Sequence, residues 1–165
     1  MKNLGFYIFL LGLLACSTDD GNIDDLFFST IVPDRMITVG FDSIFERTNF
    51  VTEAGTNLVF TYTHQYPQST MIEDDELGEQ LTFEIDSEVD SFEYTDEELR
   101  QAKCHYNEIG AWVNSSFQYE IIEGTLSGQK ITDTTWDCAF SVKARPARIG
   151  GEMDKVIEFT GRFSY

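Results

Sequence analysis

Acidic side chains between residues 73 and 98 form the densest group of potential cation ligands in the chain. Four of them have the spacing of positions 1, 3, 5 and 12 of an EF-hand calcium loop: Asp86, Glu88, Asp90 and Glu97. Position 6 of such a loop needs glycine for its sharp turn, and Ser91 stands there. The preceding segment, Leu81 to Ile85, alternates as a strand does, whereas an EF-hand loop follows a helix. We therefore interpret the acids as a solvated face, with calcium binding at the four residues as the weaker alternative, and we expect no other cofactor.

The two histidines, His64 and His105, are the obvious candidates for acid–base chemistry. His64 alternates with Phe60 and Tyr62, which favours a core or edge position in a strand over a catalytic one. The sequence contains no nucleophile elbow, no phosphate-binding glycine loop and no paired zinc motif. Paired carboxylates are unavoidable in so acidic a chain, so they do not indicate a glycosidase. We predict that the protein is not an enzyme, with a hydrolase as the weakest alternative.

The first 15 residues have the form of a secretory signal. Lys2 precedes an uncharged, mostly apolar run over residues 3–15, which is too short to span about 30 Å of hydrocarbon as a mature helix. A basic start, an apolar middle and a small final residue are typical of a signal peptide that is removed. The apolar run ends at Ala15, and Cys16 follows it directly.

The sequence Leu13-Leu14-Ala15-Cys16 resembles the lipobox of bacterial lipoproteins. That resemblance implies that Cys16 is lipidated and becomes the first residue of the mature chain. The acidic stretch Ser17 to Asp25 resembles the surface-export signal of Bacteroidetes lipoproteins, which implies an outer-membrane protein on the cell surface. A flexible polar tether on a periplasm-facing protein is the alternative, and either way paired acyl chains hold the protein stably at the membrane.

Two short motifs, Asp42-Ser43-Ile44 and Asp133-Thr134-Thr135, resemble the O-glycosylation signal of exported Bacteroidetes proteins. The resemblance implies Ser43 and Thr134 as weak candidate acceptors.

Lipidation of Cys16 leaves Cys104 and Cys138, an even remainder in a compartment where thiols are oxidised. We predict a disulfide between them, with two separate buried thiols as the alternative. A bridge across these 34 residues would stabilise the fold by roughly 3.5–4 kcal/mol in the chain-entropy model.

Most of the mature chain alternates apolar and polar residues at a period of two, which predicts strands. The clearest segments are Met36–Phe41, Asn57–His64, Leu81–Ile85, Ser116–Leu126, Trp136–Ala144 and Val156–Tyr165. One segment differs, because Thr95 and Glu98 form a capping box and acids precede bases along it. It predicts a short helix over about Asp96 to His105.

These elements predict an all-β fold: an antiparallel sandwich or a small up-and-down barrel of about seven or eight strands. The expected organisation is a signal peptide over residues 1–15, a lipidated cysteine and acidic tether over 16–26, and a single β domain over 27–165. The layout is similar to the small calycin-like or immunoglobulin-like lipoproteins of the same bacteria.

Composition limits the function further. The chain has 11 Lys and Arg against 29 Asp and Glu, a net charge of −18, which excludes a nucleic-acid partner because phosphate binding needs a positive surface. Its 42% hydrophobic and 14% aromatic content is too high for a disordered acidic segment. We predict a non-catalytic binding or accessory domain, with the outer membrane as one partner through the anchor and a protein or glycan as another. A calycin-like carrier that holds a small molecule in an aromatic interior is the alternative.

Overall fold

The computed structural model describes residues 22–44, 46–69, 77–110, 118–147 and 153–165. These residues form ten strands and one 3-10 helix. The strands are β1 (Asn22–Ile23), β2 (Leu26–Asp42), β3 (Arg47–Gln65), β4 (Gln68–Ser69), β5 (Leu77–Ile85), β6 (Ser91–Thr95), β7 (His105–Gly110), β8 (Tyr119–Thr132), β9 (Thr135–Pro146) and β10 (Lys155–Ser164). The predicted all-β class is confirmed. Across the described segments, no helix has the length and apolar character needed to cross a membrane.

Eight of the strands form one mixed sheet in the order β6-β8-β9-β10-β2-β3-β5-β7, and β1 pairs separately with β4. Within the described residues, β10 and β2 meet in a single parallel pair, Ser164 with Thr30, whereas the other strand pairs are antiparallel. The sheet therefore consists of two four-stranded antiparallel halves joined at one corner. We call β6-β8-β9-β10 the first half and β2-β3-β5-β7 the second half.

An aromatic core shows that the two halves face each other. Phe60 on β3 lies 5.7 Å from Trp136 on β9 and 5.4 Å from Phe163 on β10, measured between ring centroids. Phe60, Trp136 and Phe163 have no solvent exposure. Strand β9 follows the predicted alternation, since Trp136, Cys138, Phe140, Val142 and Ala144 are all buried. Folding the sheet over itself removes these apolar faces from water, which is the main stabilising term in such a domain.

The hairpin of β2 and β3 extends beyond the part of β3 that pairs with β5, and among the described strands its two strands there pair only with each other. The pairing register slips between Pro33 and Arg35, where Asp34 has a φ of 55°. Opposite this bulge the chain must pass very close to Met36, because a β-carbon at Gly55 would lie 2.6 Å from the Met36 Cβ. Bulges of this kind bend a strand pair sharply. The described parts of the hairpin over residues 36–44 and 46–54, which we call the arm, lie across the outer face of β5 and β7, where Ile37 contacts Glu84 and Phe50 stacks on His105.

The predicted helix is present but is shorter and of another type. A 3-10 helix spans Asp96–Arg100, and the Glu98 carboxylate accepts hydrogen bonds from the Thr95 N–H at 3.1 Å and hydroxyl at 3.2 Å. The chain then leaves the helix through Lys103, whose φ is 47°. The prediction that it continues to His105 is wrong, because that residue begins β7 instead.

The N-terminal anchor segments lie outside the described residues. These are the predicted signal peptide over residues 1–15 and the lipidation site Cys16. The predicted tether over 16–26 is described only from residue 22. There Asn22 pairs with Ser69, and Ile23 with Gln68, so the end of the predicted tether contributes backbone to a small sheet.

Candidate functional site

A cleft of about 430 Å³ separates the arm from β7 and the start of β8. The arm contributes Val39, Thr48 and Phe50 to its lining, and the turn before β7 contributes Arg100 and Lys103. Further lining residues come from the strands on the opposite side: His105, Tyr106, Asn107, Tyr119, Glu120 and Ile121. The volume falls in the range of small-molecule sites, which are typically lined by apolar and aromatic side chains with a few polar groups.

Two aromatic pairs line this cleft. The Phe50 ring of the arm stacks on His105, with centroids 4.1 Å apart and planes 8° from parallel. Tyr106 and Tyr119 meet edge to face at 4.8 Å. This second pair crosses between the two halves of the sheet, since Tyr106 belongs to β7 and Tyr119 to β8. The lining of the cleft therefore includes residues from both halves, although Tyr106 and Tyr119 themselves are only 2% and 8% exposed.

His105 supplies a neutral polar group to the cleft. Burial lowers the pKa of its imidazole below the ordinary 6.5, although a backbone hydrogen bond opposes the shift. That bond runs from His105 Nδ1 to the Lys103 carbonyl oxygen at 3.0 Å. Because a carbonyl can only accept, Nδ1 carries the hydrogen, and Nε2 of the neutral ring is left as a hydrogen-bond acceptor.

A buried ion pair holds the base of the arm against β5. Glu84 on β5 is only 7% exposed, and its carboxylate lies 2.6 Å from Lys103 Nζ. The same carboxylate accepts hydrogen bonds from the Ile37 backbone N–H and from Asn57 Nδ2, the latter at 3.2 Å. Lys103 Nζ also donates to the Ile37 carbonyl oxygen at 2.6 Å. The N–H and the carbonyl oxygen of Ile37 therefore both have hydrogen-bond partners outside the hairpin. The Ile37 side chain is completely buried.

A second contact closes the far end of the arm. Gln118 Oε1 accepts a hydrogen bond from the Thr48 N–H at 3.0 Å, and Gln118 Nε2 donates to the Thr48 carbonyl oxygen at 2.6 Å. One side-chain amide thus pairs with both backbone groups of one residue, as a neighbouring strand would. The arm is therefore fixed at both ends, with the cleft between the two attachments.

Arg100 and Glu120 bring the remaining formal charges of the cleft lining. Both side chains are exposed. Neither forms an ion pair with any residue that the structure describes. Lys103 differs from them, because Glu84 balances its charge at close range.

A second polar cluster lies at one end of the domain, around His64. His64 Nε2 is 2.7 Å from Asp25 Oδ1, and His64 Nδ1 is 3.3 Å from Glu79 Oε1. The Tyr66 and Tyr106 hydroxyls donate to Glu79 at 3.1 Å and 3.4 Å, and desolvation together with the Glu79 charge raises the pKa of both phenols. These contacts tie the first residues of the domain to the second half of the sheet. The prediction of a core or edge position for His64 agrees with this half-buried place near the end of β3.

The four candidate calcium ligands do not converge. Asp86, Glu88 and Asp90 lie in the exposed turn between β5 and β6, and Glu97 is exposed on the 3-10 helix. Asp86 Oδ1 accepts a hydrogen bond from the Glu88 N–H at 2.9 Å, an ordinary turn contact. In the described part of the chain, no group of three or more His, Cys, Asp or Glu side chains is arranged to hold a metal ion.

The predicted disulfide is not present: Cys104 and Cys138 are both free, buried thiols. Cys104 directly precedes β7 in the second half of the sheet, whereas Cys138 lies on β9 in the first half. The even number of cysteines left after Cys16 was therefore not a sign of a disulfide bond. Burial raises the pKa of each thiol to about 12.

Both weak candidate glycosylation sites occupy exposed hairpin turns. Ser43 lies in the turn between β2 and β3, and Thr134 lies in the turn between β8 and β9. Their positions are compatible with access by a modifying enzyme, and the modification itself stays a prediction.

A larger depression of about 910 Å³ crosses the outer face of the first half. Small residues line most of it, among them Ser127, Gly128, Ala139, Thr160 and Gly161. It lacks the aromatic walls of the cleft and is a shallow surface trough, so the cleft is the better candidate site despite its smaller volume.

The cleft is assembled from residues that are distant in sequence, from Val39 to Ala147. Its main residues, Phe50, Arg100 and His105, belong to no local motif, so sequence reasoning missed the site. The one available signal was the scarcity of bases, since Arg100 is the first Lys or Arg after Arg47. No family model matches this chain, and neither a curated protein nor a solved structure shows significant similarity to it.

Proposed function

We propose that this chain is a lipid-anchored outer-membrane binding protein that holds a small ligand in the cleft beneath the arm. The observation that carries the proposal is the cleft itself, which has a volume of about 430 Å³ and contains the Phe50–His105 stack in its lining. The placement at the membrane rests on the lipobox-like sequence that ends at Cys16.

The chemistry of the cleft favours binding over catalysis. Its thiol, Cys104, has a pKa raised to about 12, so it stays protonated at neutral pH and is a poor nucleophile. Lys103 is engaged by Glu84 and by the backbone of Ile37, so its amine is not free to attack a ligand. Among the described lining residues, therefore, no nucleophile is paired with an activating base.

The position of the cleft distinguishes this proposal from a carrier with an internal pocket. The space between the two halves of the sheet is occupied by fully buried rings such as Phe60, Phe83 and Trp136. These packed rings favour a ligand site on the outer side of β7, under the arm.

A bulky substitution in the cleft tests the binding site directly. Val39→Trp places an indole in the cleft from the arm, and Val51→Trp is the matched control, because Val51 is equally exposed on the arm but does not line the cleft. The probe is N-phenyl-1-naphthylamine, an uncharged aromatic fluorophore. We expect Val39→Trp to abolish its saturable binding and Val51→Trp to leave the binding unchanged. Equal binding by both variants would show that the cleft is not the site.

The anchor is tested separately in cells. Radiolabelled palmitate should be incorporated into the wild-type chain and lost in Cys16→Ala, and identical labelling of the two would refute lipidation. Protease treatment of intact cells then reports the leaflet, because a domain that survives treatment does not lie on the cell surface.

A further inference from the structure

We propose that the cleft selects a ligand that joins a flat apolar body to one anionic group, with Arg100 binding the anion. This inference rests on the proposed function and adds the chemical class of the ligand.

Arg100 differs from most of the bases that the structure describes. Seven described Lys and Arg side chains lie within 4.0 Å of a carboxylate: Arg47, Lys103, Lys130, Lys143, Arg145, Lys155 and Arg162. Arg35 and Arg100 have no such partner within the described ranges, although the chain has 29 acids. Arg35 lies at the bulge of β2, away from the cleft, whereas Arg100 lines it.

Of the three acids on the same 3-10 helix, Asp96 and Glu98 are engaged by other groups, and Glu97 forms no ion pair with Arg100 within the described residues. Glu98 accepts both hydrogen bonds of Thr95, and Asp96 Oδ1 accepts one from the Gly124 N–H at 3.0 Å. The guanidinium thus keeps a planar, permanently charged set of donors at the cleft, a geometry that suits carboxylate, phosphate or sulfonate oxygens.

The other ionisable groups of the cleft do not offer the same site. Lys103 is neutralised by Glu84 at 2.6 Å, and His105 is held neutral by burial. Glu120 is a carboxylate on the β8 side of the cleft, so it repels an anion and favours placing it at Arg100. The net attraction for an anion in the described lining therefore comes from a single residue.

The walls define the rest of the ligand. Phe50, half-buried and stacked on His105, offers aromatic surface, and Val39 and Ile121 add aliphatic surface. Tyr106 and Tyr119 contribute little, because they are only 2% and 8% exposed. Flat apolar groups pack well against such surfaces. The acceptor at His105 Nε2 adds one place for a hydroxyl or N–H of the ligand.

Two matched fluorophores test the proposal on the folded wild-type domain and its variants. 8-Anilinonaphthalene-1-sulfonate has the same aromatic rings as N-phenyl-1-naphthylamine plus one sulfonate. We expect the sulfonate probe to bind the wild type more tightly than the uncharged probe. Arg100→Gln should weaken binding of the sulfonate probe by about fivefold to tenfold, as expected for one charge-assisted contact. Binding of the uncharged probe should not change.

Two further variants serve as controls for the overall charge of the domain. Arg35→Gln removes the same charge outside the cleft and should leave both dissociation constants unchanged. Glu120→Gln should strengthen binding of the sulfonate probe alone, because it removes a like charge from the opposite side. An equal effect of Arg35→Gln and Arg100→Gln would overturn the assignment of the anion to Arg100.

The outcomes separate this inference from the proposed function. If both probes bind in a manner that Val39→Trp abolishes but Arg100→Gln leaves the sulfonate affinity intact, the cleft function stands and the ligand class is wrong. If neither probe binds the wild type, or if Val39→Trp has no effect on either, the proposed function fails and this inference fails with it. Far-UV circular dichroism of each variant confirms that the domain is folded before affinity is compared.

Discussion

Substituting Lys103 by Met should detach the base of the arm and destabilise the domain. The change removes the ammonium that lies 2.6 Å from Glu84 Oε1 and that donates to the Ile37 carbonyl oxygen. Glu84, only 7% exposed, keeps its hydrogen bonds from Asn57 and from the Ile37 N–H but loses the opposite charge. An unbalanced charge at such a place is unfavourable because water cannot replace the lost partner.

The magnitude follows from burial. Removing one member of a buried ion pair costs about 3–5 kcal/mol. The Lys103 side chain is 28% exposed, which lets solvent reach one side of the pair, so we expect the lower end, about 3 kcal/mol. Glu84→Gln should cost less, about 2 kcal/mol, since the amide oxygen still accepts from the Ile37 N–H. The double variant should be no less stable than Glu84→Gln alone, which gives a coupling energy of about 3 kcal/mol.

Urea unfolding followed by circular dichroism measures the free energies, and amide hydrogen exchange over residues 36–52 shows whether the arm opens first. Lys130→Met is the matched control: Lys130 is 27% exposed, nearly the same as Lys103, but its partner Asp133 is fully exposed. Its stability should not differ measurably from that of the wild type. If Lys103→Met proves as stable as Lys130→Met, or if the two single substitutions at Glu84 and Lys103 add in the double variant, the ion pair does not hold the arm.

Three further predictions use other parts of the structure. With thiol pKa values of about 12, Cys104 and Cys138 should resist iodoacetamide at about pH 8 while the domain is folded and react once it is unfolded in urea; failure to react after unfolding would indicate a bridge. The lowered pKa of His105 means that the unfolded chain takes up a proton more readily. The stability due to the neutral ring is therefore complete above pH 6.5 and is lost as the pH falls toward the folded-state pKa. Between about pH 7.5 and about pH 5 the urea midpoint of the wild type should fall more than that of His105→Gln, and parallel profiles would contradict this. Gly128→Ala should cost about 1–3 kcal/mol of unfolding free energy, because the new β-carbon would lie 2.4 Å from a core phenyl ring; Gly40→Ala, with no atom within 4 Å, should leave the urea midpoint unchanged.

The strands could be predicted because each one buries a single face against the aromatic core. On β9 the side chains of Trp136, Cys138 and Phe140 point inward and those between them point outward, so the period of two is visible in the sequence. The capping residues Thr95 and Glu98 were equally readable, since the contact between them spans only three positions. The predicted end of that helix was wrong, because Lys103 adopts a positive φ and its ammonium pairs with Glu84 on β5.

The cleft could not be predicted because it depends on where the arm lies. At a period of two, Glu84 falls on the same strand face as Asp86, Glu88 and Asp90, so the sequence predicts that all four are solvated. The structure ends the strand at Ile85 and buries Glu84 alone. What distinguishes Glu84 from its acidic neighbours is that the arm covers it, and the arm is brought there by a bulge nearly 50 residues earlier in the chain. No local pattern at residue 84 contains that information.

Because acids outnumber bases by 29 to 11 in this chain, a base without an acidic partner is unexpected. In a domain with so many carboxylates, a solvated Lys or Arg gains a counter-charge easily, and most of the described ones lie within ion-pair distance of an acid. Lys103 uses that attraction to fix the arm over β5. Arg100 lies three residues earlier, at the same cleft, and forms no such pair with the described acids. The two bases therefore have complementary roles: Lys103 holds the wall of the cleft in place, and Arg100 remains available for a negative charge that the protein itself does not supply.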